Sequence, residues 1–244
     1  MRTLVTNFKI IYQVLSVVER GKRVTKALVS RTAWLGLLLL LFSACNSERE
    51  QPREDIYPWQ VSVQADGKSR VFGITVNQSR LLDATEVLGG NYELGLFETE
   101  NQPLSLEAYF SEVTLGGISG KFILTLEALQ AELTTLRDKA LKRKVLESGA
   151  RRYTVTYADK MALSQKTITS LAYIPYINLD EEIIKSRFGE PAERIIVDQK
   201  RQHLLFPELG LDLLLDDDGK ELLQYVAPAE FDKLRQPLLN KYAD

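Results

Sequence analysis

One short apolar run limits what this chain of 244 residues can build. Ala33 to Phe42 is apolar throughout, with Arg31 before it and the small residues Ser43 and Ala44 after it. A permanent bilayer-spanning helix needs about 20 apolar residues, so the run is too short to be one. Positive charge, short apolar centre and small-residue exit are the parts of a secretory signal peptide, which is cut away. The run opens onto Cys45, the only cysteine of the chain. An ordinary signal peptide, or a core helix with an incidental cysteine, are the blander readings. The first 44 residues are therefore set aside from the fold. With a single thiol, no internal disulfide can form, and the remaining 200 or so residues must hold by packing alone.

Phe42-Ser43-Ala44-Cys45 resembles the bacterial lipobox, with phenylalanine where leucine is more usual. The resemblance implies cleavage before Cys45, acylation of its thiol and attachment to a membrane through lipid. Asn46 would then stand second in the mature chain. The enteric sorting rule retains aspartate there at the inner membrane, so Asn46 implies the outer membrane, facing the periplasm. Upstream, Met1 to Ser30 is a long approach holding a semi-apolar piece (Phe8 to Val18) and a basic cluster (Arg20 to Lys26). Either translation starts later, nearer Val24 or Val29, or the leader is long.

Met1 to Ala44 holds seven of the 31 basic residues and one of the 33 acidic ones. What remains carries 24 basic against 32 acidic residues, a formal charge of −8. A nucleic-acid binder would show a basic stripe, so no nucleic-acid partner is expected. Asn46 to Pro58 is polar and charged, with two prolines, and reads as a flexible tether with a reach on the order of 20 Å.

From Trp59 the pattern becomes structural. Val61 and Val63 alternate with polar residues and Ala65-Asp66-Gly67-Lys68 turns the chain, a hairpin signal. A helix with Leu81, Leu82, Val87 and Leu88 stops at Gly89-Gly90, and strands follow over Tyr92 to Phe97, Leu104 to Phe110 and Lys121 to Leu126. Leu126, Leu129, Leu133, Leu136 and Ala140 recur at three and four, predicting a long helix from Thr125 to Glu147. Its basic end, Lys139, Lys142, Arg143 and Lys144 with Arg151-Arg152 beyond, reads first as a solvated face. The sharper reading is a contact for anionic headgroups or cell-wall polymer. Strands at Arg152 to Tyr157 and Thr167 to Tyr173 flank a short helix, Ala158 to Gln165. Asn178-Leu179-Asp180 caps a helix from Glu181 to Phe188, and strands at Ala192 to Val197, Gln202 to Phe206, Leu211 to Leu215 and Glu221 to Val226 precede a last helix from Pro228.

The expected fold class is α+β. A signal peptide (1–44) and lipidated tether (45–58) lead to two tandem small units of helix plus antiparallel sheet, 59–148 and 149–244, joined by the long amphipathic helix. The two halves share an order of events about 100 residues apart, with Val87 set opposite Phe188 by one register offset. Leu179-Asp180-Glu181, Phe188-Gly189-Glu190-Pro191 and Leu222 to Val226 resemble the small outer-membrane lipoproteins of the β-barrel assembly machinery, the SmpA/OmlA type. Two such units in tandem resemble the β-lactamase inhibitory protein fold, and the whole chain resembles uncharacterised proteobacterial lipoproteins. These motifs are structural punctuation, so the resemblance implies fold more than function.

Chemistry is sparse. His203 is the only histidine, placed in a strand with no G-x-S-x-G elbow anywhere, and reads as a strand-face side chain with a satisfied hydrogen bond. Asp216-Asp217-Asp218-Gly219 lacks calcium-loop spacing and reads as a hairpin turn. No metal, cofactor or catalytic residue is implied, and Cys45, as the lipidation site, is the one candidate site residue. The favoured function is a non-enzymatic, lipid-anchored envelope module that binds a protein partner. The alternative is a periplasmic enzyme or small-ligand binder with a cleft between the two units.

Overall fold

The computed structural model describes residues 56–100, 102–146 and 149–242. The signal peptide, Cys45 and the tether as far as residue 55 lie outside the described residues. Gln51–Asp244 forms one compact unit, and both hydrophobic clusters lie within it.

A small antiparallel sheet comes first, β1 (Ser62–Val63), β2 (Ser69–Val71) and β3 (Ile74–Thr75). After α1 (Leu81–Leu88) come β4 (Glu93–Glu98), β5 (Ser105–Leu115), β6 (Ile118–Leu126), α2 (Gln130–Asp138), β7 (Lys142–Val145) and β8 (Arg151–Thr154). Next are α3 (Tyr157–Leu163), β9 (Ile168–Pro175), α4 (Glu181–Phe188) and β10 (Glu193–Ile196). β11 (Arg201–Phe206), β12 (Leu211–Asp216), β13 (Leu222–Tyr225) and α5 (Asp232–Tyr242) complete the chain. Strands β4 to β13 form one antiparallel sheet in the order β10-β11-β12-β13-β9-β6-β5-β4-β8-β7.

The expected α+β fold of two tandem units is overturned. The described residues are mainly β, a ten-stranded sheet beside a three-stranded one with five short helices. The long linking helix is absent among the described residues. Leu126 is the last inward residue of β6, only Gln130–Asp138 is helical, and Lys142–Val145 pairs with β8 as an edge strand. The apolar spacing of three and four arose from strand, helix and strand in succession. Gly149, read in the sequence as part of a helix stop, sits in the β7–β8 connection, where its N–H donates to Leu146 O.

The internal repeat takes a different form from the expected one. α1 and α4 are both eight residues, 100 positions apart, and each ends on a glycine with positive φ, Gly89 (87°) and Gly189 (84°). Leu88 therefore matches Phe188, and Ala84 matches Ile184, with no offset. Leu82 and Ile183 share the solvent side instead of the core. Antiparallel strands follow both helices, but β9 pairs with β6 on one side and β13 on the other, merging them into one sheet. Local chemistry explains α4 well. The Asp180 carboxylate accepts from Ile183 N–H at 2.7 Å, Glu181 and Glu182 fill the first turn, and Lys185 and Arg187 the last.

Register shows where the core lies. Phe110, Phe122, Tyr173, Leu223, Leu213 and Leu204 are paired neighbours across six strands, all buried on one face. The small sheet caps that face through Phe72, whose ring is 4.9 Å from Phe122 and 5.0 Å from Tyr173. Phe72 and Gly73 turn β2 into β3 with φ of 54° and 74°, a two-residue turn in which an aromatic side chain is strained and burial holds it there.

Candidate functional site

The opposite face of the sheet is unevenly covered. One residue along from the buried row run Glu93, Tyr109, Ile123, Ala172, Gln224, Asp212, Leu205 and Glu193, each paired with the next. At the β10–β12 end, α5 closes this face. Ile195, Leu205, Val226 and Phe231 form a second apolar cluster with Leu234, Leu238, Leu239 and Tyr242 against it. Over β5, β6 and β9 the face is half-exposed, with Tyr109, Ile123, Ala172 and Ile174 amid Glu107, Lys121 and Ser170. Glu107 accepts from the Ser105 hydroxyl at 2.7 Å, and burial pushes its carboxyl pKa up.

His203 lies on this face beneath α5. Its Nδ1 is 2.8 Å from Asp212 Oδ1, Gln224 Nε2 donates to Asp212 Oδ2 at 3.1 Å, and Tyr242 packs beside the ring at 6.3 Å between centroids. The sequence expectation of a strand-face histidine with a satisfied hydrogen bond describes this arrangement; the partner, nine residues on, comes into register through the β11–β12 hairpin. Both His203 and Asp212 are buried. The pair lacks a bonded serine, threonine or cysteine among the described residues, so it holds the α5 side of the sheet together and presents no nucleophile.

A concave site lies at the other flank. Tyr92, Glu93, Leu141 to Lys144, Arg152, Thr154 to Tyr157 and Lys160 line a cleft of about 680 Å³. Five of these are cations, Lys142, Arg143, Lys144, Arg152 and Lys160, against one carboxylate, Glu93. Arg152 spans Gly95 to reach Glu93 Oε2 at 2.5 Å, and any Cβ at position 95 would come within 3.1 Å of its Nε and 3.2 Å of Tyr153 O. Lys160 Nζ donates to Tyr92 O at 3.1 Å and sits 4.0 Å from the Tyr92 ring centre, with burial raising that phenol's pKa. Lys142, Arg143 and Lys144 make no ion pair among the described residues. The sequence singled out Lys142, Arg143 and Lys144 on a helix and Arg152 on the strand beyond it; Lys142 to Val145 is instead a strand whose pairing with β8 brings all four together, and Tyr92, Tyr157 and Lys160 were missed. The hint was an alternating strand directly after Ser148-Gly149.

Beside the cleft, Glu98 accepts from the Tyr153 hydroxyl at 2.6 Å, and from Arg151 and Arg137 at 3.3 and 3.4 Å. The Tyr153 hydrogen bond first, and then Arg151, hold the Glu98 carboxyl below its ordinary pKa. Asp216-Asp217-Asp218-Gly219 joins β12 to β13 as the expected turn, Asp216 Oδ1 accepting from Asp218 N–H and Lys200 pairing with Asp218. Among the described residues no His, Cys, Asp and Glu group is arranged to hold a metal, and no helix is long and apolar enough to cross a membrane. Cys45 lies outside the described residues. The chain matches no protein-family model, no curated protein and no solved structure.

Proposed function

We propose that this is a lipid-anchored protein of the cell envelope, facing the periplasm from the outer membrane, that works by binding a protein partner on the open face of its sheet. The anchor rests on the sequence Arg31 to Cys45 and the sorting on Asn46. The binding role rests on one observation, the half-exposed face over β5, β6 and β9. Its apolar middle (Tyr109, Ile123, Ala172, Ile174) and polar surround (Glu107, Lys121, Ser170) have the anatomy of a protein interface. The partner is accordingly a protein surface with an apolar centre and few charges. A role beside envelope assembly proteins is what the SmpA/OmlA-type resemblance adds. A sheet running unbroken through β6, β9 and β13 favours this reading over an enzyme or small-ligand binder with a cleft between two units.

Two experiments test the two halves of the proposal. A photo-crosslinking residue at Ile123 or at Ile174 in intact cells should trap the same discrete adduct, and one at the exposed Glu208 should not. Equal labelling at all three positions would reject the open face. Replacing Cys45 with serine should move the protein out of the membrane fraction after a wash at 0.5 M salt, a concentration that screens any charge contact. Retention of the serine variant would reject the lipid anchor, and recovery of the acylated parent only with inner-membrane markers would reject the sorting.

A further inference from the structure

The cations of the β7–β8 cleft run against the charge of the rest of the chain, which is acidic. Part of that concentration has a structural explanation. Lysine on an edge strand discourages pairing with other chains, and β7 is an edge. Edge protection accounts for Lys142 and Lys144. It does not account for Lys160 on α3, or for cations from separate elements converging on one concavity that contains a single carboxylate.

The apolar neighbours of these cations are also unusual. Tyr157 and Met161 are one helical turn apart on α3 and are 81% and 65% exposed; Leu141, just before β7, is 64% exposed. A soluble polyanion has no use for such residues, whereas a lipid surface takes up both kinds of side chain, apolar ones below the headgroups and cations among them.

Strand direction adds a third observation. Glu93 opens β4 opposite Tyr109, and β5 runs on past that point to Leu115 and the turn at Gly116-Gly117. The cleft and this turn are thus at the same end of the sheet. Ile56 and Tyr57 lie against Gly116, where a Cβ would come within 3.1 Å of Ile56 Cδ1 and 2.6 Å of Tyr57 Cε1, so the chain enters the fold at that end too. Tyr176 and Ile177, which follow β9 there, are exposed. The acidic Asp216 to Asp218 turn shares this end but is attached to β12, beyond β6, β9 and β13, so the β7 flank is the one suited to an anionic surface.

From these observations we infer that the β7–β8–α3 cleft and its apolar rim form a second membrane contact, specific for bilayers carrying anionic phosphate headgroups and independent of the lipid on Cys45. Lys142, Arg143 and Lys144 engage headgroup phosphates, and Tyr157, Met161 and Leu141 enter the interface. The contact would orient the domain, not merely retain it.

The test uses residues 51–244, the compact unit that contains both cores and lacks Cys45, in co-flotation with vesicles at 0.1 M salt. Vesicles with half phosphatidylglycerol should carry the protein, and pure phosphatidylcholine vesicles should not. Each cation at an anionic surface multiplies partitioning about fivefold, so the combined Lys142→Ala, Arg143→Ala and Lys144→Ala variant should lose about a hundredfold. Tyr157→Ser with Met161→Ser should lose roughly tenfold through lost apolar burial. All five side chains are outside the core, and unchanged melting temperatures would show that the variants remain folded. Absence of binding to the anionic vesicles, equal binding to neutral ones, or parental binding by the triple variant would each overturn the inference. So would unchanged vesicle binding by the Tyr157/Met161 variant together with full competition by inorganic polyphosphate, which would assign the cleft to a soluble polyanion. Because Cys45 is absent throughout, none of these outcomes bears on the lipid anchor.

Discussion

The two flanks of the large sheet are built on different terms. Along β11 and β12 both faces are covered, one by the main core and the other by α5, while the edge strand β10 buries only Ile195 and leaves Arg194 and Ile196 exposed. At β4 to β8, one face packs and the other meets solvent, and the edge strand is wholly exposed. The difference is written in side-chain order. β12 reads LDLLLD, close to a continuous apolar run, and the last four residues of β11, HLLF, are all buried, as in strands covered on both faces. β5 and β6 read SLEAYF and KFILTL, alternating in and out, as strands buried on one face do. Even the acids on the shared face follow suit. Asp212 is sealed and bonded by two side chains, while Glu107 is half-open with one hydroxyl donor.

Substitutions can break that contrast. Phe231→Ala should have the largest effect, about 3–5 kcal/mol in chemical denaturation, because this buried ring joins α5 to Ile195 and Leu205. Tyr109→Ala, on the same face at the open flank, should cost about 1 kcal/mol; equal losses would mean that the two flanks are covered alike. Asp212→Ala should cost about 3 kcal/mol, since it strands His203 and Gln224 beneath α5. Phe188→Ala should cost only about 2 kcal/mol. Its ring packs on Phe206 with centroids 5.9 Å apart, but the side chain is half-buried instead of fully enclosed.

Glu107→Gln should have the smallest effect and the opposite sign. Burial raises the folded-state pKa of Glu107, so the folded protein holds this proton more tightly than the unfolded chain. Its favourable contribution is complete below the ordinary carboxyl pKa and is lost as pH rises through the raised value. The glutamine variant should therefore match the parent near pH 4 and exceed it at pH 7 by on the order of 0.5 kcal/mol, read from paired denaturation curves. A variant less stable at pH 7 would show that the ionised carboxylate has a favourable partner on the open face.

Much of the fold was legible locally and little of it globally. The helix at Glu181 to Phe188 was readable to the residue because Asp180 and Gly189 punctuate it chemically. The strands from Tyr92 onward, β7 excepted, were readable because alternation and turn residues agree. The long helix failed because Leu126, Leu133 and Leu136 satisfy a helical period while belonging to a strand and a short helix, and no local signal marks the change of element. Merging the halves into one sheet depends on β9 pairing with β6 and β13, contacts about 50 residues apart in each direction that no spacing announces. The cleft was legible only in its cations, since Tyr92 and Lys160 join β7 through the pairing of β4 with β8 and of β8 with β7.

The entry of the chain has a mechanical consequence. Tyr57 stacks on Trp59 at 5.1 Å, the Arg187 guanidinium covers the Trp59 ring at 4.9 Å, and Pro58 O accepts from the buried Tyr225 hydroxyl at 2.8 Å. Any pull on residues before Ile56 reaches β13 and α4 through these contacts before it reaches β1 and β2. Load is thus delivered to the interior of the large sheet, and the small sheet that caps the core is shielded. Under the proposed lipid anchor, that arrangement would act as a strain relief, sparing the strands that would otherwise peel first.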